Sequence, residues 1–231
     1  MPTINDEEFG TINLRRTAKA RYVRIRVAPD GRLRGSMPLY APLFLAKQLV
    51  KNSSAQLREM IREQHADTIF TPGMRIGKSH TLIVQPTTRK SLRVTRHGQQ
   101  ILVELPAEAS LQHPDVHRKV RDTMIEALRV EAKSYLPKRL AYLANQHGFS
   151  YSSVRFSHAS SRWGSCSSNG TISLNIALMK LPFELIDYVL IHELSHTQEM
   201  NHGESFWELV EAGDPHYKQH RAELKKETPS I

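Results

Sequence analysis

Hydrophobic and polar side chains alternate along the first part of the chain, with the period of two that a half-buried β-strand shows. From Arg21 to Val27, valine and isoleucine face one way while tyrosine and arginine face the other. Pro29-Asp30-Gly31 has the composition of a turn, and Arg32 to Met37 can return as the partner strand. The pattern therefore predicts a β-hairpin here.

More β-structure is predicted after an intervening helix. The helical stretch begins at Pro42 and runs to about His65, with a weak middle at Asn52-Ser53-Ser54. His97-Gly98 lies at hairpin spacing between two later strands. The strands that follow the helix are predicted at about residues 80–85, 92–96 and 100–105.

The second half of the chain is mostly helical by pattern. A long helix is predicted from Pro114, with a break or kink at Pro137, because proline lacks an amide proton, and an end at Gly148. Pro182–Met200 also has a helical pattern. Between the two helices we predict a strand at 153–157, a polar loop at 160–166 and a strand at 171–175. The succession predicts an α+β fold.

The composition is that of a globular protein, with 39% hydrophobic and 24% charged residues. We expect two parts, a β-rich region with one helical segment over residues 1–108 and a second domain over 109–231. No apolar run is long enough to span a membrane, and the N-terminus lacks the pattern of a secretory signal. Cys166 is the one cysteine, so no intrachain disulfide forms and a cytoplasmic location is expected.

The net charge of +9 lies entirely in the N-terminal half. Residues 1–110 hold 18 Lys and Arg against 9 Asp and Glu, whereas the remainder of the chain is balanced. Eight of these basic residues lie between Arg15 and Arg34, with Asp30 as the one acid among them. Such a patch attracts nucleic acid, nucleotide phosphates or an acidic protein. The alternative interpretation is a solvated strand face that is protected from edge pairing.

The run His192-Glu193-Leu194-Ser195-His196 is an HExxH motif within the last predicted helix. A spacing of four residues places His192 and His196 on adjacent turns of one face, close enough to bind one ion. Neutral imidazole suits Zn²⁺. Glu193 projects about 100° around the helix from His192, which suits a general base acting on water better than a ligand.

A catalytic zinc needs a third protein ligand and one open position. His202 is the leading candidate, but a straight helix would carry it about 9 Å beyond His196 at 1.5 Å per residue. The chain must therefore turn after Met200, and the flanking Asn201 and Gly203 are suitable turn residues. Three acidic residues remain as alternative third ligands, namely Glu204, Glu208 and Glu211.

A structural zinc is the alternative to a catalytic one. Structural sites usually recruit cysteines and close all four positions, and here Cys166 stands alone. Two unpaired histidines on a face that also carries Leu185 and Val189 would be costly to bury. The residues therefore favour an open catalytic site with one zinc ion per chain.

Further residues around the motif have the order and spacing of a known family. They are Arg162-Trp163-Gly164-Ser165-Cys166, Gly170, Ile172, Leu174, Asn175, Pro182, Asp187-Tyr188-Val189, Asn201-His202 and Phe206-Trp207. With the motif, they resemble the YgjP-like, SprT-related zinc metallopeptidases over about residues 150–215. Ser195, Thr197 and Gly203 depart from the commonest pattern, and none of these changes removes a ligand.

The resemblance implies a fold and a set of roles. It implies a zincin-like, gluzincin-type core, in which a twisted, mostly antiparallel sheet lies beside the HExxH helix. It also implies that His192, His196 and His202 bind zinc and that Glu193 is the base. In such enzymes the edge strand nearest the metal receives an extended peptide, and we expect that strand to comprise Thr171, Ile172, Ser173, Leu174 and Asn175.

The predicted activity is zinc-dependent hydrolysis of a peptide or protein. Two alternatives remain: a phosphohydrolase of the nucleoside triphosphate pyrophosphatase type, and a nucleic-acid-associated zinc protein that binds through the basic half. Arg162 is a candidate for oxyanion or substrate-anion binding, or else a structural donor. Tyr217 is a candidate donor to an oxyanion.

Overall fold

The structure, a computed structural model, describes residues 2–28, 32–66 and 69–231 and divides the chain into two compact units. The first unit comprises the chain up to Phe70 together with Ala109–Lys119, and the second comprises Thr71–Glu108 and Val120–Ile231. This division differs from the expected boundary after residue 108. Residues 71–108, which form a second sheet, belong to the same unit as residues 120–231. The predicted turn at residues 29–31 lies outside the described residues.

The first unit contains a four-stranded sheet and two helices. Its strands are β1 (Thr3–Asp6), β2 (Gly10–Arg16), β3 (Arg24–Val27) and β4 (Leu33–Met37), in the spatial order β1-β2-β4-β3. Helices α1 (Leu43–Asn52) and α2 (Ser54–Ala66) follow, separated at Ser53 where the sequence has its weak middle. The core of this unit consists of Ile4, Ile12, Leu14, Leu33, Met37, Ala41, Ala46, Val50 and Leu57.

Four arginines of this unit share one face of the sheet. Arg26 lies opposite Arg34, and both Arg15 and Arg24 lie opposite Ser36. All four are exposed, while Leu14 and its neighbours on the other face are buried. Part of the charge surplus seen in the sequence is therefore concentrated on one side of a sheet.

The second unit begins with a sheet of four strands, in the order β5-β6-β8-β7. They are β5 (Arg75–Ile76), β6 (His80–Thr87), β7 (Arg93–His97) and β8 (Gln100–Pro106). The three longer strands lie within two residues of their predicted bounds. Gly98 has φ +56°, a backbone conformation that glycine adopts without penalty, and it closes the predicted β7–β8 hairpin.

Helix α3 (Pro114–His147) runs without interruption through Pro137, so the predicted break at that residue is wrong. Leu136 and Leu140 are fully buried on either side of the proline, and this burial offsets the loss of one backbone hydrogen bond. The helix ends where predicted. Gly148 has φ +70°, and the amide of Phe149 donates to the carbonyl of Ala144.

One buried carboxylate joins the first sheet of this unit to α3. Glu131, which is 7% exposed, accepts hydrogen bonds from the amides of Lys78 (2.7 Å) and Ser79 (2.9 Å) and from the His80 ring (2.6 Å). A side chain at Gly77 would collide with Glu131 and Leu128. This contact explains why residues 71–108 group with the C-terminal part rather than with the first unit.

The motif-bearing part contains a third sheet, formed by β9 (Ser153–Ser157), β10 (Gly164–Cys166) and β11 (Thr171–Asn175). Strands β10 and β11 are antiparallel and β9 and β11 are parallel, in the order β10-β11-β9. Among the described strands, antiparallel pairs outnumber parallel pairs five to three. The predicted α+β fold is confirmed.

A short 3₁₀ helix (Ile176–Lys180) leads from β11 into three helices, α4 (Phe183–Ser195), α5 (Glu204–Gly213) and α6 (Tyr217–Leu224). Helix α4 carries the HExxH motif and lies against α5, α6 and β10. Arg139 of α3 makes a bidentate ion pair with Asp187 of α4, at 2.8 and 2.6 Å. None of the described helices is long and apolar enough to cross a membrane.

Replacement of Glu131 by glutamine is expected to lower the free energy of unfolding by about 2–4 kcal/mol at pH 7, because the buried His80 ring and two amides lose a charged acceptor. Burial raises the pKa of Glu131, but the hydrogen bonds from Lys78, His80 and Ser79 outweigh it and hold the pKa below 4.5. Such a carboxyl stabilises the fold above its unfolded pKa, so the difference between wild type and Glu131→Gln shrinks as pH falls below about 4.5.

Urea unfolding from pH 7 to pH 3 measures both effects. Glu126→Gln is the matched control, because Glu126 is exposed on the same helix and its loss is expected to change stability by less than about 0.5 kcal/mol. A difference between wild type and Glu131→Gln that stays constant down to pH 3 would contradict the assigned role of the carboxylate.

Candidate metal centre

Helix α4 ends earlier than its sequence pattern predicts. The pattern extends to Met200, but the helix ends at Ser195, and the amide of Thr197 donates to the carbonyl of Leu194 only three residues back. The Thr197 hydroxyl donates to the same carbonyl at 2.7 Å. Side-chain bonds of this kind compete with the helical ladder. The chain therefore begins to reverse at His196 rather than after Met200.

This reversal brings three histidines together. The ligand-capable atoms of His192, His196 and His202 all lie within 4.8 Å of one another. The Nε2 atoms of His192 and His202 are 3.3 Å apart. Two nitrogens that each lie about 2.0–2.1 Å from one tetrahedral ion are about 3.3 Å apart. The His192–His202 separation thus fits ligation of a single ion.

The surroundings of the three rings fix their orientation. Nδ1 of His196 donates to the carbonyl of Glu199 at 3.0 Å, which leaves its Nε2 with a free lone pair for a metal. Phe206, fully buried in α5, contacts all three imidazoles, with ring centroids 4.5–5.0 Å apart. Trp207 lies beside His192 and His202.

The surroundings of His192 and His196 favour their neutral forms. Burial, with smaller contributions from the nearby imidazoles and Arg221, lowers the pKa of His192 to about 3. Burial also lowers the pKa of His196, against the opposing hydrogen bond from Glu199. Only the neutral form of imidazole binds a metal. His192 and His196 are therefore ready at neutral pH to bind a cation.

Glu193 is buried beside the trio, with 5% of its surface exposed. Burial raises its pKa to about 8, although the Arg162 guanidinium acts in the opposite direction. Its Oε2 atom is buried and has no hydrogen-bond partner among the described residues. A buried carboxyl with one unpartnered oxygen, next to three imidazoles, is the donor set that a divalent cation and a water molecule would complete.

Gly164 of β10 makes this arrangement possible. A Cβ atom at that position would come within 2.5 Å of Oε1 of Glu193 and 2.7 Å of its Cγ. The edge strand therefore approaches α4 more closely than any side chain would permit. A cavity of about 170 Å³ lies at this contact, lined by Trp163, Gly164, Tyr188, Val189, His192, Glu193 and Leu224.

The prediction that residues 171–175 form the edge strand that receives a peptide is wrong. Residues Thr171–Asn175 form β11, the central strand, whose two edges already pair with β9 and β10. The hydrogen-bonding edge nearest Glu193 belongs to β10 instead. Ile172 and Leu174 are fully buried. Asn175 is structural: its side chain donates to Ala159 and Arg162 carbonyls and accepts from the Ala177 amide.

The ladder geometry shows which groups face the open edge of β10. The amide of Asn175 donates to the carbonyl of Trp163, and the amide of Ser167 donates to the carbonyl of Thr171. Because the pattern repeats every second residue, the backbone groups of residues 163, 165 and 167 are those that hydrogen-bond to β11. The alternating residues Gly164 and Cys166 therefore point their backbone groups away from β11. Neither makes a further backbone hydrogen bond to a described residue.

The remaining candidates lie in different places. Arg162 is exposed and near enough to influence Glu193 electrostatically. Tyr217 is buried and stacks on Trp207, with ring centroids 5.5 Å apart, so it packs behind the site. The alternative ligands are exposed on α5 and do not join the histidine cluster; they are Glu204, Glu208 and Glu211.

Sequence reasoning missed two groups that shape the site. Gly164 stood within the family-like run Arg162–Cys166, but nothing in a single sequence reveals a close approach to Glu193. The carbonyl of Glu199, which orients His196, is a backbone group and carries no signature in the side-chain pattern. Both depend on which elements pack together.

Comparisons with known proteins identify a metallopeptidase family. A family model described as "YgjP-like, metallopeptidase domain" matches residues 21–227. Among solved structures, the chain is similar to the metallopeptidase zymogen abylysin of Pyrococcus abyssi, at 29% identity and a TM-score of 0.36. That match covers 39% of this chain and 92% of the other. No curated protein matches the chain significantly.

Replacement of His202 by alanine is expected to weaken zinc binding by more than the roughly 10–100-fold that follows loss of a group that only orients a ligand. The reason is that two imidazoles remain where three converge. Zinc competition titration and metal analysis of the purified protein measure the change. His216→Ala is the control, since this exposed histidine lies outside the cluster, and equal zinc affinity in both variants would remove His202 from the ligand set.

Proposed function

Because this chain belongs to the YgjP-like metallopeptidase family, we propose that it is a zinc-dependent peptidase with Glu193 as its general base. The proposal assigns the metal to His192, His196 and His202, with one zinc ion per chain. The observation that carries it is the convergence of three imidazoles beside a buried carboxyl whose Oε2 atom has no hydrogen-bond partner among the described residues.

The donor set fits zinc among the common divalent metals. Imidazole nitrogen is a favoured zinc ligand, and three such ligands leave the open position that a catalytic site requires. A zinc ion held there lowers the pKa of water toward about 7 and polarises a substrate carbonyl. The protein's own contribution is to hold the ligands, exclude solvent and move the proton.

Glu193 is suited to proton transfer by its environment. Burial raises its pKa to about 8, and a dication bound beside it would favour the ionised form that accepts a proton. In the proposed mechanism Glu193 accepts the proton of the attacking water and passes it to the leaving amine nitrogen. Gly164 sets the position of the carboxylate for both steps.

We propose the open edge of β10 as the path of the substrate backbone. Gly164 and Cys166 present backbone donors and acceptors there, next to Glu193. An extended peptide added as a strand would gain affinity from main-chain hydrogen bonds. This places a peptide carbonyl beside the base while the side chains alternate between the two faces of the sheet.

Partners for the basic sheet face remain a prediction. Arg15, Arg24, Arg26 and Arg34 would suit a phosphate-rich partner as well as a solvated surface. The proposed phosphohydrolase activity has no specific support in the metal site, whose residues activate water for either substrate. The expected cytoplasmic location likewise stays a prediction.

Replacement of Glu193 by glutamine is expected to keep the zinc and to lower casein hydrolysis by about 10²–10⁴-fold, since general base catalysis contributes that much. Zinc content and casein cleavage are measured on the same preparation. Glu204→Gln serves as the matched control, because Glu204 is exposed and lies outside the cluster. Its zinc content and activity are expected to equal those of the wild type.

Two outcomes would contradict the proposal. An active, zinc-loaded Glu193→Gln protein would show that another group takes the proton. Hydrolysis of a nucleoside triphosphate panel without cleavage of casein, and with dependence on Glu193, would assign the same site to phosphate chemistry instead.

Replacement of Gly164 by alanine is expected to displace the Glu193 carboxylate, because the added methyl would overlap it. A displacement of about 1 Å can reduce turnover by about 100-fold, and we expect a loss of that order with zinc still bound. The control is Gly203→Ala, where an added methyl meets nothing within 4 Å. Equal kcat for Gly164→Ala and the wild type would show that the contact does not position the base.

A further inference from the structure

A second, larger cavity lies on the site sheet, apart from the histidines. Its volume is about 570 Å³, and its lining includes Arg155, Arg162, Ser165, Ser168, Thr171 and Ser173. The described lining holds two cations and no carboxylate. The metal site uses none of these side chains as ligands, so they require a separate explanation.

The cavity floor is a row of side chains that crosses all three strands. Ser165 of β10 lies opposite Ser173 of β11, which lies opposite Arg155 of β9. Neighbouring strands are about 4.8 Å apart, so the three side chains stand next to one another on one face. Thr171 lies on the same face two residues from Ser173, and Arg162 adds a second guanidinium from the segment before β10.

The side chains of Arg155, Ser165 and Ser173 in this row are available to hydrogen-bond a ligand. Among the described residues, the guanidinium groups of Arg155 and Arg162 have no hydrogen-bonding or ion-pair partner. The hydroxyl groups of Ser165, Ser168 and Ser173 hydrogen-bond to no described residue either. Planar guanidinium donors flanked by hydroxyls match the geometry of an oxyanion such as a carboxylate.

The position of the row relates it to the substrate path. Gly164 faces Glu193, so its neighbour Ser165 projects to the opposite face of the sheet. A peptide on the open edge of β10 would continue the row with every second side chain, next to Ser165. An acidic side chain in that place would lie beside Ser165 and face the cavity that Arg155 and Arg162 line.

We propose that this cavity is a specificity subsite that binds a carboxylate of the peptide substrate, which makes the enzyme selective for peptides that present a carboxylate at that position. The proposal rests on the proposed peptidase function and deepens it. The carboxylate comes either from a glutamate or aspartate side chain or from the peptide's C-terminus, since both present the same planar pair of oxygens.

The test uses internally quenched peptides that differ by one group. One pair carries glutamate or glutamine at each scanned position, and a second pair ends in a free carboxylate or an amide. We expect at least one member with the carboxylate to show kcat/KM about 10-fold or more above its neutral partner, the size of a charged hydrogen bond. The pair that shows the preference identifies the source of the carboxylate.

Arg155→Gln is expected to bring the ratio of kcat/KM for the carboxylate-bearing peptide to kcat/KM for its neutral partner toward one. The change is expected mainly in KM for the carboxylate-bearing peptide. Arg129→Gln is the control, since Arg129 is exposed on α3 away from the cavity, and it should leave the ratio unchanged. A ratio near one in the wild type, or a ratio that Arg155→Gln leaves intact, overturns the subsite.

Failure of the proposed function is recognised separately. If the wild type cleaves none of the peptides, calorimetric titration of zinc-loaded Glu193→Gln protein with the acidic and neutral peptides decides the subsite by itself. Tighter binding of the acidic peptide, abolished by adding Arg155→Gln, supports it. Equal binding of the two peptides, or binding of neither, overturns it.

Discussion

The contact between Gly164 and Glu193 is the constraint on which the site depends. It allows an edge strand to lie directly on the HExxH helix with no side chain between them. The resulting burial raises the pKa of Glu193 to about 8. The same contact fixes which face of β10 each residue occupies, so it directs Ser165 to the outer face and leaves the backbone of Gly164 at an open edge. The position of the Glu193 carboxyl, the open edge of β10 and the outer face that carries Ser165 thus follow from one close approach.

The histidine cluster depends on a second feature, the early end of α4. Hydrogen bonds with a spacing of three residues, and the Thr197 hydroxyl, end the helix at Ser195 and return the chain toward His192. Phe206 then supplies a common apolar surface for all three rings. Burial disfavours the protonated form of His192, and the protonated form cannot bind a metal.

The two faces of the site sheet have different chemical characters. Toward α4, the sheet presents Gly164, Ile172 and Leu174, which pack closely and exclude water. Away from α4, it presents arginine and hydroxyl groups that no described residue satisfies. A strand with this alternation, placed at the edge beside a metal centre, suits a substrate that is read by its backbone on one side and by a charged group on the other.

The sequence by itself determined the parts that depend on local periodicity and on residue type. Helical spacing predicted that His192 and His196 lie together with Glu193 nearby, and the need for a chain reversal predicted that His202 joins them, because these arguments need only i, i+4 geometry and the reach of a ligand. Gly98 and Gly148 likewise marked a hairpin and a helix end. Tertiary structure decided the rest. Strand β10 is only Gly-Ser-Cys, with no apolar alternation to reveal it, and it is a strand because β11 pairs with it. That pairing makes β11 central and moves the peptide-binding edge away from residues 171–175. Helix α3 continues through Pro137 because burial of Leu136 and Leu140 outweighs the low helix propensity of proline. A single sequence does not show how deeply those leucines are buried.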